Sequence, residues 1–240
     1  MRLLVSVMDA GEARMAAAAG ADIVDVKNPD EGSLGAPSPG AIAGVRAAVP
    51  AGQPLSAAIG DMPNLPGTAA LAALGAARSG ATFVKVGLWG VSTEDDAVVL
   101  LRAVRDAVPG TVVVAAAYAD SRRVAHAPLA PDLLPRVARA AGVGACLLDT
   151  AVKDGRGLLE WLSPETLASL VAEAHAAGLE VALAGALRVD DLPVVRETGA
   201  DIAGVRSAAC GAGRRSGPLD AARVRALVAA CAATPPRVSR

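Results

Sequence analysis

The stretch Ala18-Ala19-Gly20-Ala21-Asp22-Ile23-Val24-Asp25-Val26 decides the fold, because it returns. Echoes stand at Arg78-Ser79-Gly80-Ala81-Thr82-Phe83-Val84-Lys85-Val86, Ala140-Ala141-Gly142-Val143-Gly144-Ala145-Cys146-Leu147-Leu148 and Glu197-Thr198-Gly199-Ala200-Asp201-Ile202-Ala203-Gly204-Val205, with a looser copy at Ala177-Gly178-Leu179-Glu180-Val181-Ala182-Leu183-Ala184. Each copy has a glycine able to end a helix in the left-handed conformation. A short turn and an apolar, buried strand follow. This is the helix-to-strand junction of a parallel sheet.

Working outward gives eight expected strands: Leu3–Val7, Ile23–Lys27, Leu55–Ile59, Phe83–Gly87, Val112–Ala117, Cys146–Asp149, Val181–Ala184 and Ile202–Arg206. A helix with a plausible start follows each strand. Asp9 with Glu12 forms a capping-box pattern, Ser38-Pro39 and Ser163-Pro164 set a cap before a first-turn proline, and Ser92 or Thr93 precedes an acidic turn. Eight units in 240 residues is the spacing of a single (βα)8 TIM barrel of the α/β class. The expected barrel domain spans 1–231, with 232–240 as a frayed tail. A doubly wound open sheet competes, but Val7-Met8-Asp9-Ala10 is no Gly-rich dinucleotide turn.

Composition narrows the partners. The chain is 53% hydrophobic and 20% charged but only 2% aromatic, so its core must be built from Ala, Val, Leu and Ile. A net charge of -1 gives no reason to expect nucleic acid or an anionic membrane as a partner. No apolar run approaches the ~18 residues of a spanning helix, and the start of the chain has no signal-peptide pattern. Cys146, Cys210 and Cys231 read as reduced core residues of a cytoplasmic protein, and His126 and His175 are too far apart to suggest a metal site. The outer helices, rich in alanine and leucine, suit packing in a homo-oligomer and equally suit packing on the barrel.

Charges inside strands covered on both sides are costly unless paired or placed at the open end. Counted from the junction glycine, Asp25 and Lys85 lie five residues on, and Lys27, Asp149 and Arg206 lie seven on. All the offsets are odd, so equal turn geometry puts all five side chains on one face. The outward face meets apolar helices; the lumen remains. Their late position in each strand places them at the C-terminal rim, where barrel enzymes keep their chemistry. Buried ion pairs that merely hold the barrel closed are the competing reading. A partly dehydrated lysine beside another cation favours its amine form and can attack a carbonyl, and neighbouring carboxylates can move protons. The chemistry indicated is imine formation.

Loops add polar groups to the same rim: Asn28, Asp61, Asp120 and Lys153, the last only four residues past Asp149. Barrels often hold phosphate on backbone amides after strands seven and eight. Gly185, Ser207 and Gly211 occupy those loops, and Arg206 is expected to pair with the anion. Asn28 and Asp120 are read as further substrate-binding residues.

Together Asp25-Val26-Lys27-Asn28-Pro29, Glu31-Gly32-Ser33-Leu34-Gly35-Ala36, Ser56-Ala57-Ala58-Ile59-Gly60-Asp61, Lys85-Val86-Gly87-Leu88, Tyr118-Ala119-Asp120, Asp149-Thr150-Ala151-Val152-Lys153-Asp154-Gly155, Ala184-Gly185 and Gly204-Val205-Arg206 resemble the (5-formylfuran-3-yl)methyl phosphate synthase family of methanofuran biosynthesis. The likeness runs from Leu3 to about Cys210, with Ser207 where a glycine is expected. It implies a barrel that condenses two molecules of glyceraldehyde 3-phosphate with loss of phosphate and water, using no organic cofactor. By the same resemblance Lys27 forms the Schiff base and Lys85 accepts a proton, with Asp25, Asp149 and Lys153 assisting. Two alternatives stand beside it: a Schiff-base aldolase or isomerase of triose phosphates, and a non-catalytic barrel that binds a sugar phosphate.

Overall fold

The computed structural model describes residues 1–232. Eight parallel strands close into one barrel in sequence order. They are β1 (Arg2–Val7), β2 (Ile23–Val26), β3 (Leu55–Pro63), β4 (Phe83–Gly90), β5 (Val112–Tyr118), β6 (Ala145–Asp149), β7 (Glu180–Leu183) and β8 (Ile202–Val205). The helices between and after them are α1 (Ala10–Ala18), α2 (Pro39–Ala48), α3 (Pro66–Arg78), α4 (Glu94–Ala107), α5 (Leu134–Ala141), α6 (Pro164–Ala176), α7 (Leu192–Glu197) and α8 (Ala221–Ala232). The expected tail lies, from residue 233 onward, outside the described residues, and Ala232 itself closes α8.

The junction motif behaves as its chemistry requires. Gly20, Gly80, Gly142, Gly178 and Gly199 all have positive φ, between 69° and 106°, which lets the chain leave each helix and enter the next strand without a Cβ clash. At the other end of the units, Asp9, Ser38, Thr93 and Ser163 each accept first-turn amides through their side chains. Glu12 completes the first cap by accepting the Met8 amide at 2.9 Å.

The strands sort their residues into two cores. Outward-facing Leu3, Val5, Val7, Val24, Val26, Val84 and Val86 pack beneath the helices with Ile42, Val45, Leu100, Leu101 and Leu167. Inward-facing Leu4, Ile23, Val114, Ala145, Leu147, Ala182 and Ile202 fill the lumen. Each large aliphatic side chain removed from water contributes about 1.5–3 kcal/mol, so this double shell holds the barrel with little aromatic bulk, chiefly Tyr118 in the inner core. Toward the C-terminal rim the inward positions turn small, with Ser6, Ser56, Ala184 and Gly204, and a cavity opens there.

Three strands run past their expected ends, β5 only by Tyr118 and β3 and β4 by several residues. Gly60, at φ 118°, introduces a shift in the pairing of β3 with β4, after which Asp61 lies opposite Gly87 and Pro63 opposite Gly90. Gly87 has no Cβ where one would press on the Tyr118 hydroxyl and the Asp61 carboxylate. That close approach explains why the longer strands are tolerated. Conversely β2 and β8 stop at Val26 and Val205, so Lys27 and Arg206 are the first residues of the rim rather than the last of a strand.

Candidate active site

The small rim residues leave a cavity lined by Ser6, Lys27, Ser56, Lys85, Asp149, Lys153, Gly185, Ser207 and Arg215, among others. Lys27 and Lys85 therefore open onto one space, brought there by β2 and β4. Asp25, two residues before Lys27, shares its inward face and is wholly buried beneath the cavity. Lys85 Nζ lies 2.6 Å from Asp25 Oδ1, while Ser6 donates its hydroxyl to Oδ2 at 2.8 Å. The contact with Lys85 is an ion pair and not an aligned hydrogen bond, since Oδ1 accepts none.

A second pair forms at β6. Lys153 Nζ donates to Asp149 Oδ1 at 2.7 Å and to Thr150 Oγ1 at 3.2 Å, and the Thr150 amide donates to the same carboxylate oxygen at 2.7 Å. Burial pushes the Asp149 carboxyl up, but the ammoniums of Lys153 and Lys27 and these hydrogen bonds outweigh it and bring it down to about 2. Asp149 is an anion at any physiological pH.

Lys27 sits between the two pairs and belongs to neither. It is 7% exposed and forms no ion pair among the described residues. Burial, with Lys85 and Lys153 adding like charge, lowers its ammonium from 10.5 to about 7, against the opposing pull of Asp149 and Asp25. At neutral pH a large share of Lys27 is free amine, the form that attacks a carbonyl carbon.

Other expected site residues have different placements. Asp120 is buried and accepts the amides of Ala151 at 2.6 Å and Val152 at 2.9 Å, so it holds the β6 loop that presents Lys153. Asn28 accepts the Asp30 amide and donates to Glu31, capping a 3-10 turn at Pro29–Glu31 outside the cavity. Gly185, at φ 109°, and Ser207 do line the cavity.

The expected role of Arg206 after β8 needs correcting. Arg206 is not available to a phosphate. Its guanidinium meets both oxygens of Glu12, at 2.6 and 3.1 Å, and donates to the carbonyls of Ser6, Arg215 and Gly217 at 2.9–3.0 Å. A fork whose N–H groups are all engaged has nothing left to offer an anion. Part of the expected amide cup is engaged, since Ala209, Cys210, Gly211 and Gly213 each donate to a nearby carbonyl, Gly211 to Pro218 at 2.9 Å, while Gly185 and Ser207 face the cavity. The same lumen-facing geometry that suggested a ligand for Arg206 instead places it against α1.

Several contributors escaped the sequence. Ser6 interrupts an apolar strand and could have been noticed on that ground alone. Ser56, opposite Asp25 on β3, is buried with its hydroxyl unpartnered among the described residues. Arg215, from the loop after β8, reaches the cavity from ten residues beyond the strand and had no periodic signal. Asp61, by contrast, was expected at the rim, and it receives the Tyr118 hydroxyl and the amides of Ser33 at 2.8 Å and Leu34 at 3.2 Å, which pins the β2 loop beside the mouth. Among the described residues, no cluster of three or more His, Cys, Asp or Glu side chains could hold a metal ion, and no helix is long and apolar enough to cross a membrane.

Known proteins match this sequence along nearly the whole chain. The 4-HFC-P synthase family model matches residues 3–228. The (5-formylfuran-3-yl)methyl phosphate synthase of Methanocaldococcus jannaschii is 48% identical over 236 residues, covering 96% of this chain and 100% of its own. That of Methanosarcina mazei is 48% identical over 237 residues, covering 97% and 100%. Among solved structures, a 3-hexulose-6-phosphate synthase aligns with a TM-score of 0.64 at 22% identity, covering 97% of this chain and 100% of its own, a likeness of fold alone.

Proposed function

Because the chain belongs to the 4-HFC-P synthase family, we propose that it is a synthase that makes (5-formylfuran-3-yl)methyl phosphate from two molecules of glyceraldehyde 3-phosphate. One observation carries the proposal: a buried lysine amine, Lys27, held near neutrality in a cavity that it shares with a second lysine, Lys85.

The proposed sequence begins with Lys27 attacking the aldehyde of one triose phosphate and losing water to form an imine. The imine draws electrons from the adjacent carbon and makes its proton acidic. Lys85 is the proposed acceptor of that proton, after its own ammonium proton has gone to the carbinolamine oxygen that leaves as water when the imine forms. The resulting enamine has two outlets, expulsion of phosphate and attack on the second aldehyde. Ring closure and dehydration complete the furan and return the Lys27 amine. Over the whole reaction one orthophosphate and two water molecules leave. In this reading Lys153, held by Asp149, protonates departing oxygen, and Asp149 offsets the charge of the imine. Aromatisation makes the last steps strongly downhill, so positioning and proton management are what the protein must supply.

The test is incubation with glyceraldehyde 3-phosphate, followed by the ultraviolet absorbance of a conjugated furan aldehyde and by borohydride trapping with peptide mass analysis. The expected outcome is furan formation and a reduced adduct on Lys27. Equilibration with dihydroxyacetone phosphate without furan would replace this reading with an isomerase or aldolase. Inertness toward triose phosphates would leave a binding module.

A further inference from the structure

With Arg206 committed to Glu12, the cavity needs another source of positive charge if a phosphorylated substrate is to enter it. Four of its five basic residues are already accounted for. Lys85 is offset by Asp25, Lys153 by Asp149 and Arg206 by Glu12, and Lys27 is depleted of charge by burial. Arg215 remains. It lines the cavity, forms no ion pair among the described residues, and uses only Nη2, on the carbonyls of Gly32 at 2.5 Å and Ser33 at 3.3 Å. Its Nε is buried without a partner, and Nη1 donates to no protein atom among the described residues.

A guanidinium with no carboxylate partner and unused N–H groups is an unfavourable arrangement, and a dianion on those groups relieves it. Its placement suits the task. The Arg215 carbonyl is held by Arg206 Nε at 2.9 Å, so the backbone that carries the side chain is braced on the barrel wall. The other end rests on the β2 loop, which Asp61 pins from below. Lys27, Lys85 and Arg215 thus line one space from different sides.

We propose that Arg215 is the phosphate-binding residue of this cavity, receiving the phosphate of a phosphorylated aldehyde on the N–H groups the protein leaves unused. The inference rests on the phosphorylated-aldehyde reading given above. It assigns Arg215 to binding and leaves the chemistry to the lysines. Charge-assisted hydrogen bonds of this kind change affinity by about tenfold to a hundredfold.

The test compares wild type, Arg215→Gln and Arg215→Lys. Glycerol 3-phosphate, which has no carbonyl to react, is the calorimetric probe, with glyceraldehyde 3-phosphate and unphosphorylated glyceraldehyde as borohydride-trapping substrates. Arg215→Gln is expected to weaken glycerol 3-phosphate binding at least tenfold and to raise KM for glyceraldehyde 3-phosphate by a similar factor. Its trapping of unphosphorylated glyceraldehyde on Lys27 should stay within about threefold of wild type, and Arg215→Lys should recover part of the lost phosphate affinity. Unchanged glycerol 3-phosphate binding in Arg215→Gln would overturn the assignment. So would an equal loss toward phosphorylated and unphosphorylated compounds, which marks a role confined to loop structure. Wild type that binds glycerol 3-phosphate but makes no furan would sink the synthase reading and leave the assignment of Arg215 to be judged by calorimetry.

Discussion

Nζ of Lys85 lies 2.6 Å from Oδ1 of Asp25 although their strands are not neighbours, because β3 runs between β2 and β4. The pair closes across the lumen over Ser56, which lies opposite Asp25 on the intervening strand and is small enough to let the two side chains meet. Both partners are buried, so removing one leaves the other uncompensated. Lys85→Met is expected to destabilise the fold by about 3–5 kcal/mol, and Asp25→Asn added to it should restore much of the loss. Chemical denaturation of the two single variants and the double variant measures this; additive losses would show that the pair is not coupled.

The lowered ammonium of Lys27 predicts a pH profile. Below about 7 the side chain is protonated and cannot form an imine, so kcat/KM for furan formation should rise with pH and level off above about 7. Lys27→Arg should reduce turnover by at least about a thousandfold and abolish the borohydride adduct, since a guanidinium has no free amine at any accessible pH.

The same shift has a sign in stability. Between about 7 and 10.5 the unfolded chain still binds a proton that folded Lys27 has released, so stability should increase with pH across that window. Lys27→Met removes this slope and should be more stable than wild type at pH 7, by a few kcal/mol. Thermal melts of both proteins from pH 6 to 10 provide the check, and a Lys27→Met protein that melts lower at pH 7 would contradict the assignment of a strained amine.

Asp149 and Lys153 should move the Lys27 profile in opposite directions. Asp149 favours the charged form of Lys27 and Lys153 opposes it. Asp149→Asn should therefore shift the rising limb to lower pH, and Lys153→Met to higher pH. The rate of borohydride trapping against pH reports this even where turnover is lost. Parallel shifts would mean that geometry, not charge, dominates.

Arg206 and Glu12 are expected to act on stability and not on phosphate affinity. Arg206→Met leaves Glu12 unpaired at the β8 to α1 contact and should cost about 3–5 kcal/mol, with glycerol 3-phosphate binding by the folded fraction within about threefold of wild type. A selective loss of phosphate affinity would return Arg206 to the site.

Reading the chain alone went far for the barrel. The repeated junction glycines and the apolar runs after them reflect local backbone sterics and strand burial, and these act within a few residues wherever they occur. The odd offsets of Asp25, Lys27, Lys85 and Asp149 carry over for the same reason: alternation along a strand fixes the face once the turn is fixed. The shift at Gly60 shows how far that goes, since one residue with positive φ lengthened β3 and placed Asp61 beside Tyr118.

What the tertiary structure alone decided is which charges cancel. Arg206 satisfied every periodic criterion for an anion ligand, yet Glu12 from the far end of the sequence takes both sides of its fork. Arg215 satisfied none, yet a loop brings it to the cavity with donors to spare. Local sequence determines the direction of a side chain, because backbone geometry is short-ranged. Its charge state and its freedom to bind depend on whatever else folding brings within a few ångströms, and the barrel joins residues nearly two hundred positions apart.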